Sequence, residues 1–266
     1  MNLGFIGAGG NMAGAIIDSV KNSSDDYSFF LSSKITDKLE KYRSFATVCD
    51  SNCDVVTKSD YIILCVKPQV LPSVLDEIKS VSTPDKCFIS IAAGVKIDKI
   101  KAMLGFDAKV IRVMPNTPML IGFGASGLCK KSPVSDDEFR FVLSIFGGKN
   151  VAIETEEDKM DAVTAVSGSG PAYVYRFIKD MAQSGEFLGL SFDKSIELAV
   201  QTALGACMMI KNTDMTKSSV QTLIDNVTSP NGTTYAALCS LDSDHFDDVV
   251  NNALVACAKR SEELSK

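Results

Sequence analysis

Leu3-Gly4-Phe5-Ile6-Gly7-Ala8-Gly9-Gly10-Asn11-Met12-Ala13, near the start of the chain, joins a short apolar run to a cluster of glycines, and a helical stretch from Gly14 to Val20 follows. Strand, glycine turn and helix, in this order, form the unit by which a β–α–β fold holds a dinucleotide. Glycines let the backbone approach a pyrophosphate, and the first turn of the helix offers free N–H groups and the positive end of its dipole. Gly7, Ala8, Gly9, Gly10, Asn11 and Met12 are therefore the first candidate cofactor-binding residues. The register of the turn is open: either Met12 stands where a third small residue is usual, or the motif slides so that Gly10 and Ala13 serve.

Outward from this stretch, short β-like runs at residues 2–6, 28–31, 61–66, 87–91 and 110–113 alternate with helical patterns, which predicts a parallel sheet with crossover helices. A further run at 124–128 adds a strand, and the sheet is expected to end near 151–153. Beyond residue 154 apolar residues recur at helical spacing, predicting helices near 158–167, 171–189, 193–212, 216–226, 233–241 and 245–264. The expectation is an α/β chain: a doubly wound, Rossmann-type domain over 1–155, which binds NADP, followed by an all-helical domain over 156–266 for dimerisation and substrate. Leu198, Ala199, Val200, Ala203, Leu204, Ala206, Cys207, Met208, Met209 and Ile210 leave their helix little polar face. A helix apolar nearly all round must be covered on all sides, and in so small a domain the cover is expected from a second copy of the chain, a homodimer.

Composition narrows the function classes. The 266 residues are 45% hydrophobic and 23% charged, as in an ordinary globular protein. A net charge of −6 with scattered lysines offers no basic stripe for nucleic acid. No apolar run is long enough for a membrane span, and Met1 leads straight into a strand-like run, so the expected location is the cytoplasm. The 8 cysteines are spread over a long chain and are expected to be reduced and packed as small hydrophobes. Cys49 and Cys53 have no second Cys or His pair beside them, so no metal site is expected. The single histidine, His245, is the one candidate for a histidine-based acid.

Four further stretches carry chemistry. Ser33 and Lys34 stand after the second strand, where an NAD site places an acid against the ribose 2′-hydroxyl; a hydroxyl and a cation suit a 2′-phosphate instead, so NADPH is favoured, with NADH weaker. Val66-Lys67-Pro68-Gln69 and Ala92-Ala93-Gly94 follow strands at the carboxyl edge of the sheet, where open α/β sheets hold ligands, and the small residues leave room for a nicotinamide ring. Met114-Pro115-Asn116-Thr117-Pro118 puts a rigid, polar turn at the next strand exit. Residues 225–234, Asp-Asn-Val-Thr-Ser-Pro-Asn-Gly-Thr-Thr, place hydroxyls and backbone N–H groups at a helix start, an anion cradle suited to a small carboxylate. Each also has a plainer reading as loop punctuation or a helix cap.

Gly-Phe-Ile-Gly-Ala-Gly at 4–9, Val-Lys-Pro-Gln at 66–69, Ala-Ala-Gly at 92–94, Arg-Val-Met-Pro-Asn-Thr-Pro at 112–118, Ser-Gly-Ser-Gly-Pro-Ala-Tyr at 167–173 and the 225–234 stretch occur in order, and together they resemble the pyrroline-5-carboxylate reductase family over essentially the whole chain. The resemblance implies NADPH-dependent reduction of a small cyclic imine, 1-pyrroline-5-carboxylate, to L-proline. It also implies an interlocked dimer that can assemble into rings of dimers. It places the glycine turn, Ser33, Asn52, Val66, Lys67, Pro68, Ala92, Ala93, Gly94 and Asn226 at the cofactor. Glu157, Thr233 and Thr234, with backbone around Ser229 to Gly232, would hold the substrate. Thr234 is the candidate catalytic group at the ring nitrogen, with solvent water as the alternative proton source. Asn231 stands where the family signature has a glycine, and asparagine tolerates left-handed backbone better than most residues. Two other readings compete. A β-hydroxyacid dehydrogenase needs a Lys–Asn pair that Pro171-Ala172-Tyr173-Val174-Tyr175 does not supply, and a non-catalytic NADP sensor leaves the 225–234 cradle unexplained.

Overall fold

The fold follows from strands that are apolar on both faces and must be covered on both. The computed structural model describes residues 1–22 and 26–264. Its strands are β1 (Asn2–Ile6), β2 (Ser28–Ser32), β3 (Ala46–Val48), β4 (Tyr61–Leu64), β5 (Cys87–Ser90), β6 (Lys109–Met114), β7 (Ala125–Lys130) and β8 (Val151–Glu154). They form one sheet in the order β3-β2-β1-β4-β5-β6-β7-β8. Pairing is parallel from β3 through β6, antiparallel between β6 and β7, and parallel again between β7 and β8. The order reverses between β1 and β4, which is the switch point of a doubly wound sheet.

Side chains alternate across β1. Leu3 and Phe5 join the core under α1 (Asn11–Lys21) and α5 (Asp136–Phe146), whereas Ile6 joins the opposite core with α2 (Asn52–Lys58), α3 (Leu71–Ile78) and α4 (Ile97–Leu104). Local signals set the helix starts: Ser51 caps α2 by accepting from the Asp54 N–H, and Ser135 with Glu138 forms a reciprocal capping box on α5. Strands β1, β2, β4, β5, β6 and β8 stand where periodicity puts them, and the run at 124–128 is the antiparallel β7. The short edge strand β3 is absent from the sequence reading. Its Ala46-Thr47-Val48 is too brief to show a period, and pairing with β2 makes it a strand.

The helical part departs from expectation at its first element. Instead of one helix over 158–167 there is a 3₁₀ turn at Glu157–Lys159, α6 at Met160–Val163 and a π turn at Thr164–Gly168. The Thr164 and Ser167 hydroxyls donate to the carbonyls four residues back, of Met160 and Val163, and the Ser169 N–H reaches back five residues to Thr164. Such hydroxyl back-bonding bends a helix, and one extra residue per turn results. Then come α7 (Gly170–Phe187), α8 (Phe192–Lys211), α9 (Lys217–Asn226), α10 (Thr233–Ser243) and α11 (Phe246–Leu264), close to the expected spans.

The chain divides into two compact units, Met1–Pro171 joined by the chain from Val255 onward, and Ala172–Leu254. Within the first, the end of α11 is fixed by the Ser261 hydroxyl donating to Asp161 at 2.6 Å and by Cys257 Sγ lying 3.3 Å from Ser169 Oγ. Within the second, Ala182, Ser195 and Ala199 are the buried residues among those described. Phe177, Phe187, Leu198, Leu204 and Met209 are all exposed there.

Candidate active site

At the switch point the chain leaves β1 and β4 in opposite directions and opens a crevice at their carboxyl ends. The Gly7 and Ala8 N–H groups both donate to the Ser32 carbonyl at the end of β2, at 3.0 and 2.9 Å, and Gly10 N–H closes the turn onto Gly7 O. Gly7 has φ +82°, and a Cβ there would stand 2.8 Å from Val66 Cγ1. Only glycine fits that backbone and that contact, so the glycine turn lies directly against Val66 after β4. Gly9 lacks that left-handed φ, but a Cβ there would meet Ser33 Oγ at 2.6 Å, with the stem of Lys38 in contact at 3.5 Å. This is a cradle that a side chain would fill, and it fits a dinucleotide whose pyrophosphate needs bare backbone.

Helix α1 starts at Asn11 with Gly10 as its N-cap and no side-chain cap bond, which leaves the first N–H groups of the helix to an anion. Ala13 is buried whereas Met12 is half-buried, so Ala13 is the small residue that lets α1 press on the sheet. Ser33 is half-buried and its Oγ accepts from the Ile35 N–H, while Lys34 is exposed. Asn52 receives the Ser32 hydroxyl at 2.7 Å and donates to Glu77 at 2.7 Å, so its amide ties β2 to α3. On the other side, Lys67 is exposed and its carbonyl accepts from the Val70 and Leu71 N–H groups at the start of α3. Ala92 is buried with its N–H on Ser90 Oγ, and Gly94 turns the chain toward α4 with φ +75°. A cavity of about 380 Å³ opens here between Pro68, Leu71, Ala93, Val95 and Leu264.

Asn116 has both amide atoms engaged: Oδ1 accepts from the Ala125 N–H at 2.8 Å, and Nδ2 donates to the Ser167 carbonyl at 3.0 Å. The two motifs at 112–118 and 167–173 thus meet through one side chain. Glu157, which the resemblance puts at the substrate, has its carboxylate occupied within the first unit. Oε1 accepts from the Ile97 N–H at 2.6 Å, Oε2 pairs with Lys131 at 2.8 Å, and Arg112 lies 3.9 Å away. Lys131 also pairs with Asp98 at 2.7 Å, and that hydrogen bond holds Asp98 below the ordinary carboxylate range. Sequence periodicity carries no signal of this network, because its members come from the start of α4, from β6, from just past β7 and from the turn after β8.

The second unit holds the polar cradle. Asn226 ends α9, and the Gly232 N–H closes a turn onto the Ser229 carbonyl at 3.0 Å. Asn231 adopts φ +58°, the left-handed conformation that the signature glycine would take, so the turn keeps its shape with asparagine. Gly232 is the N-cap of α10 and offers no side chain, so no side-chain hydrogen bond closes this helix start. Thr233 and Thr234 open the helix, exposed and half-buried respectively, and among the described residues neither hydroxyl has a partner. Unsatisfied N–H groups, free hydroxyls and a positive helix end thus lie within one turn, and this is the chemistry that attracts an anion.

Comparison with known proteins agrees with both halves. Residues 157–264 match the family model described as pyrroline-5-carboxylate reductase dimerisation, and residues 2–94 match that described as NADP oxidoreductase, coenzyme F420-dependent. A pyrroline-5-carboxylate reductase of Glycine max is 38% identical over 99% of this chain and 96% of its own length. That of Pseudomonas aeruginosa is 36% identical over 99% and 97%. Among solved structures, Plasmodium falciparum pyrroline carboxylate reductase with NADP bound superposes with a TM-score of 0.87 at 34% identity, covering 100% of this chain and 98% of that one. A pyrroline-5-carboxylate reductase from Coxiella burnetii gives 0.92 at 33% identity with the same coverage. With relatives this similar along its whole length, the chain belongs to the pyrroline-5-carboxylate reductase family.

Proposed function

We propose that this chain is an NADPH-dependent oxidoreductase acting on a CH–NH group, which reduces 1-pyrroline-5-carboxylate to L-proline in the last step of proline biosynthesis. The observation that carries the reading is the uncapped start of α10, where free N–H groups and the Thr233 and Thr234 hydroxyls suit the carboxylate of a small imine acid. Cofactor binding belongs to residues 1–155, through Gly7, Ala8, Gly9, Gly10, Asn11, Met12, Ser33, Lys34, Asn52, Val66, Lys67, Pro68, Ala92, Ala93 and Gly94, with Asn226 added from the helical part. Dimerisation and substrate holding belong to residues 156–266, with Ser229, Gly232, Thr233 and Thr234 at the substrate. Glu157, which the resemblance puts at the substrate, is taken here to support the site through α4, because its carboxylate accepts from the Ile97 N–H.

NADPH, when bound, supplies the hydride that makes the new C–H bond at the imine carbon. The chain's own task is placement. A cyclic imine is readily protonated at nitrogen, so the reaction needs no strong acid from the protein, and His245, with its side chain 77% exposed, stands far from a desolvated general acid's setting. The Thr234 hydroxyl orients the ring nitrogen, and the proton reaches that nitrogen from Thr234 or from water. Hydride transfer requires cofactor residues and cradle in one site, drawn from one chain or from both members of a homodimer. The dimers group further into a ring, and the protein works in the cytoplasm. Loss of NADPH absorbance on adding pyrroline-5-carboxylate, faster than with NADH, is the expected result; no oxidation of either cofactor would refute the assignment.

A further inference from the structure

We propose that Lys38, and not Lys34, is the cation that reads the 2′-phosphate of NADPH, with the Ser33 hydroxyl as its hydrogen-bonding companion. The inference rests on the NADPH reading above and names the residue that makes the choice. Its basis is the surroundings of Gly9, the glycine where a dinucleotide must come closest to the backbone. Ser33 Oγ stands 2.6 Å from the position of a Gly9 Cβ, and Lys38 Cβ and Cδ each stand 3.5 Å from it. Two carbons of the lysine stem therefore lie beside Gly9, on the same patch of backbone that Ser33 faces.

The loop between them explains how a residue five positions past Ser33 returns to it. The Ile35 N–H donates to Ser33 Oγ at 3.2 Å, and the Lys38 N–H donates to the Ile35 carbonyl at 3.4 Å. These bonds start the 3₁₀ turn Thr36–Tyr42, whose Leu39 and Tyr42 are buried and anchor it to the core. That packing sets the Lys38 backbone beside Gly9, whereas Lys34 precedes the turn; both side chains are exposed. The open cleft along the glycine turn, about 610 Å³, is lined by Gly9, Gly10, Lys38, Lys41 and Tyr42 among others.

Neighbouring charges leave the Lys38 ammonium available. Glu40 is taken by Arg43 at 2.9 Å, and Lys41 sits 4.5 Å over the Tyr42 ring. Among the described residues Lys38 has no ion-pair partner. Asp37 and Asp18 also line the cleft, so an incoming dianion meets repulsion there as well, and one well-placed cation decides the balance.

The test is equilibrium binding, by titration calorimetry on the full-length protein, of 2′,5′-ADP and of 5′-AMP, which differ only in the 2′-phosphate. The expected result is that Lys38→Ala weakens 2′,5′-ADP by about tenfold or more, the loss typical of a hydrogen bond to a charged group, and leaves 5′-AMP within about twofold. Lys38→Arg should restore much of the loss, and Lys34→Ala should weaken 2′,5′-ADP clearly less than Lys38→Ala does. Unchanged 5′-AMP binding also shows that the variants are folded. If the wild-type protein prefers 2′,5′-ADP but Lys38→Ala does not lower that preference, or Lys34→Ala lowers it more, the assignment to Lys38 is overturned while the NADPH reading stands. If the wild-type protein does not distinguish the two ligands, the NADPH reading itself fails and this inference with it.

Discussion

The two units solve the problem of burying apolar surface in opposite ways. In the first, Leu3, Phe5, Ile16, Leu64 and Phe88 are each 0% exposed, and a sheet with helices on both faces closes the core within one chain. In the second, helices as apolar as α8 leave Leu198 at 60% and Met209 at 56% exposure. Monomeric proteins seldom leave so much apolar surface in water. The difference teaches that the sheet unit is folded by its own contacts, whereas the helical unit has its core completed by a second copy, in line with the dimerisation family model that covers residues 157–264.

A charge on the open helical face should break the comparison most strongly. Leu204→Asp puts a carboxylate on α8 at a residue 51% exposed in the single chain. The dimer should be lost, with aggregation or a monomer by light scattering and no remaining activity, because a buried, unpaired charge is among the largest single destabilisations. A dimer of normal melting temperature would show that this face is not the contact. Phe88→Ala, in the closed core of the sheet unit, should cost roughly 3–5 kcal/mol. The stability of the dimeric wild-type protein should rise with protein concentration, and for the Phe88 variant that dependence should persist, since its defect lies within one chain.

Glu157→Gln sharpens the division of labour between structure and ligand contact. Losing the charge that holds Lys131 and the α4 start should cost about 1–3 kcal/mol in unfolding, with KM for the imine within about twofold. A large rise in that KM with no change in stability would instead put Glu157 at the substrate. Thr234→Val is the most confined change. It should lower kcat/KM for the imine by roughly tenfold, about 1.5 kcal/mol or slightly more, and leave KM for NADPH unchanged. A defect seen only in NADPH affinity would move Thr234 out of the substrate cradle.

Much of this was legible in the sequence because the signals are local. A glycine turn between strand and helix, five strands spaced by helices, and long helices with apolar arcs follow from bond geometry and periodicity alone. The left-handed Asn231 was legible only through the resemblance, whose signature has a glycine at this position. Lys38 and Glu157 were not. Lys38 has no motif of its own, and only the fold of the 3₁₀ turn returns its stem to Gly9. Glu157 matches a family position, yet its partners at residues 97, 112 and 131 lie far away in sequence, so what its carboxylate does is decided by packing.

By itself, then, the sequence determined the class of fold, the place of the dinucleotide turn, the presence of a polar cradle at 225–234 and the need of the helical part for a partner, because each depends on residues within a few positions of one another. Only the tertiary structure decided the antiparallel turn of β7, the pairing that makes Ala46–Val48 a strand, the staple by which Asn116 joins two motifs, and the side chains that flank Gly9. Those depend on which distant segments the closed core brings together, and a periodic pattern records that a face is buried without recording what it is buried against.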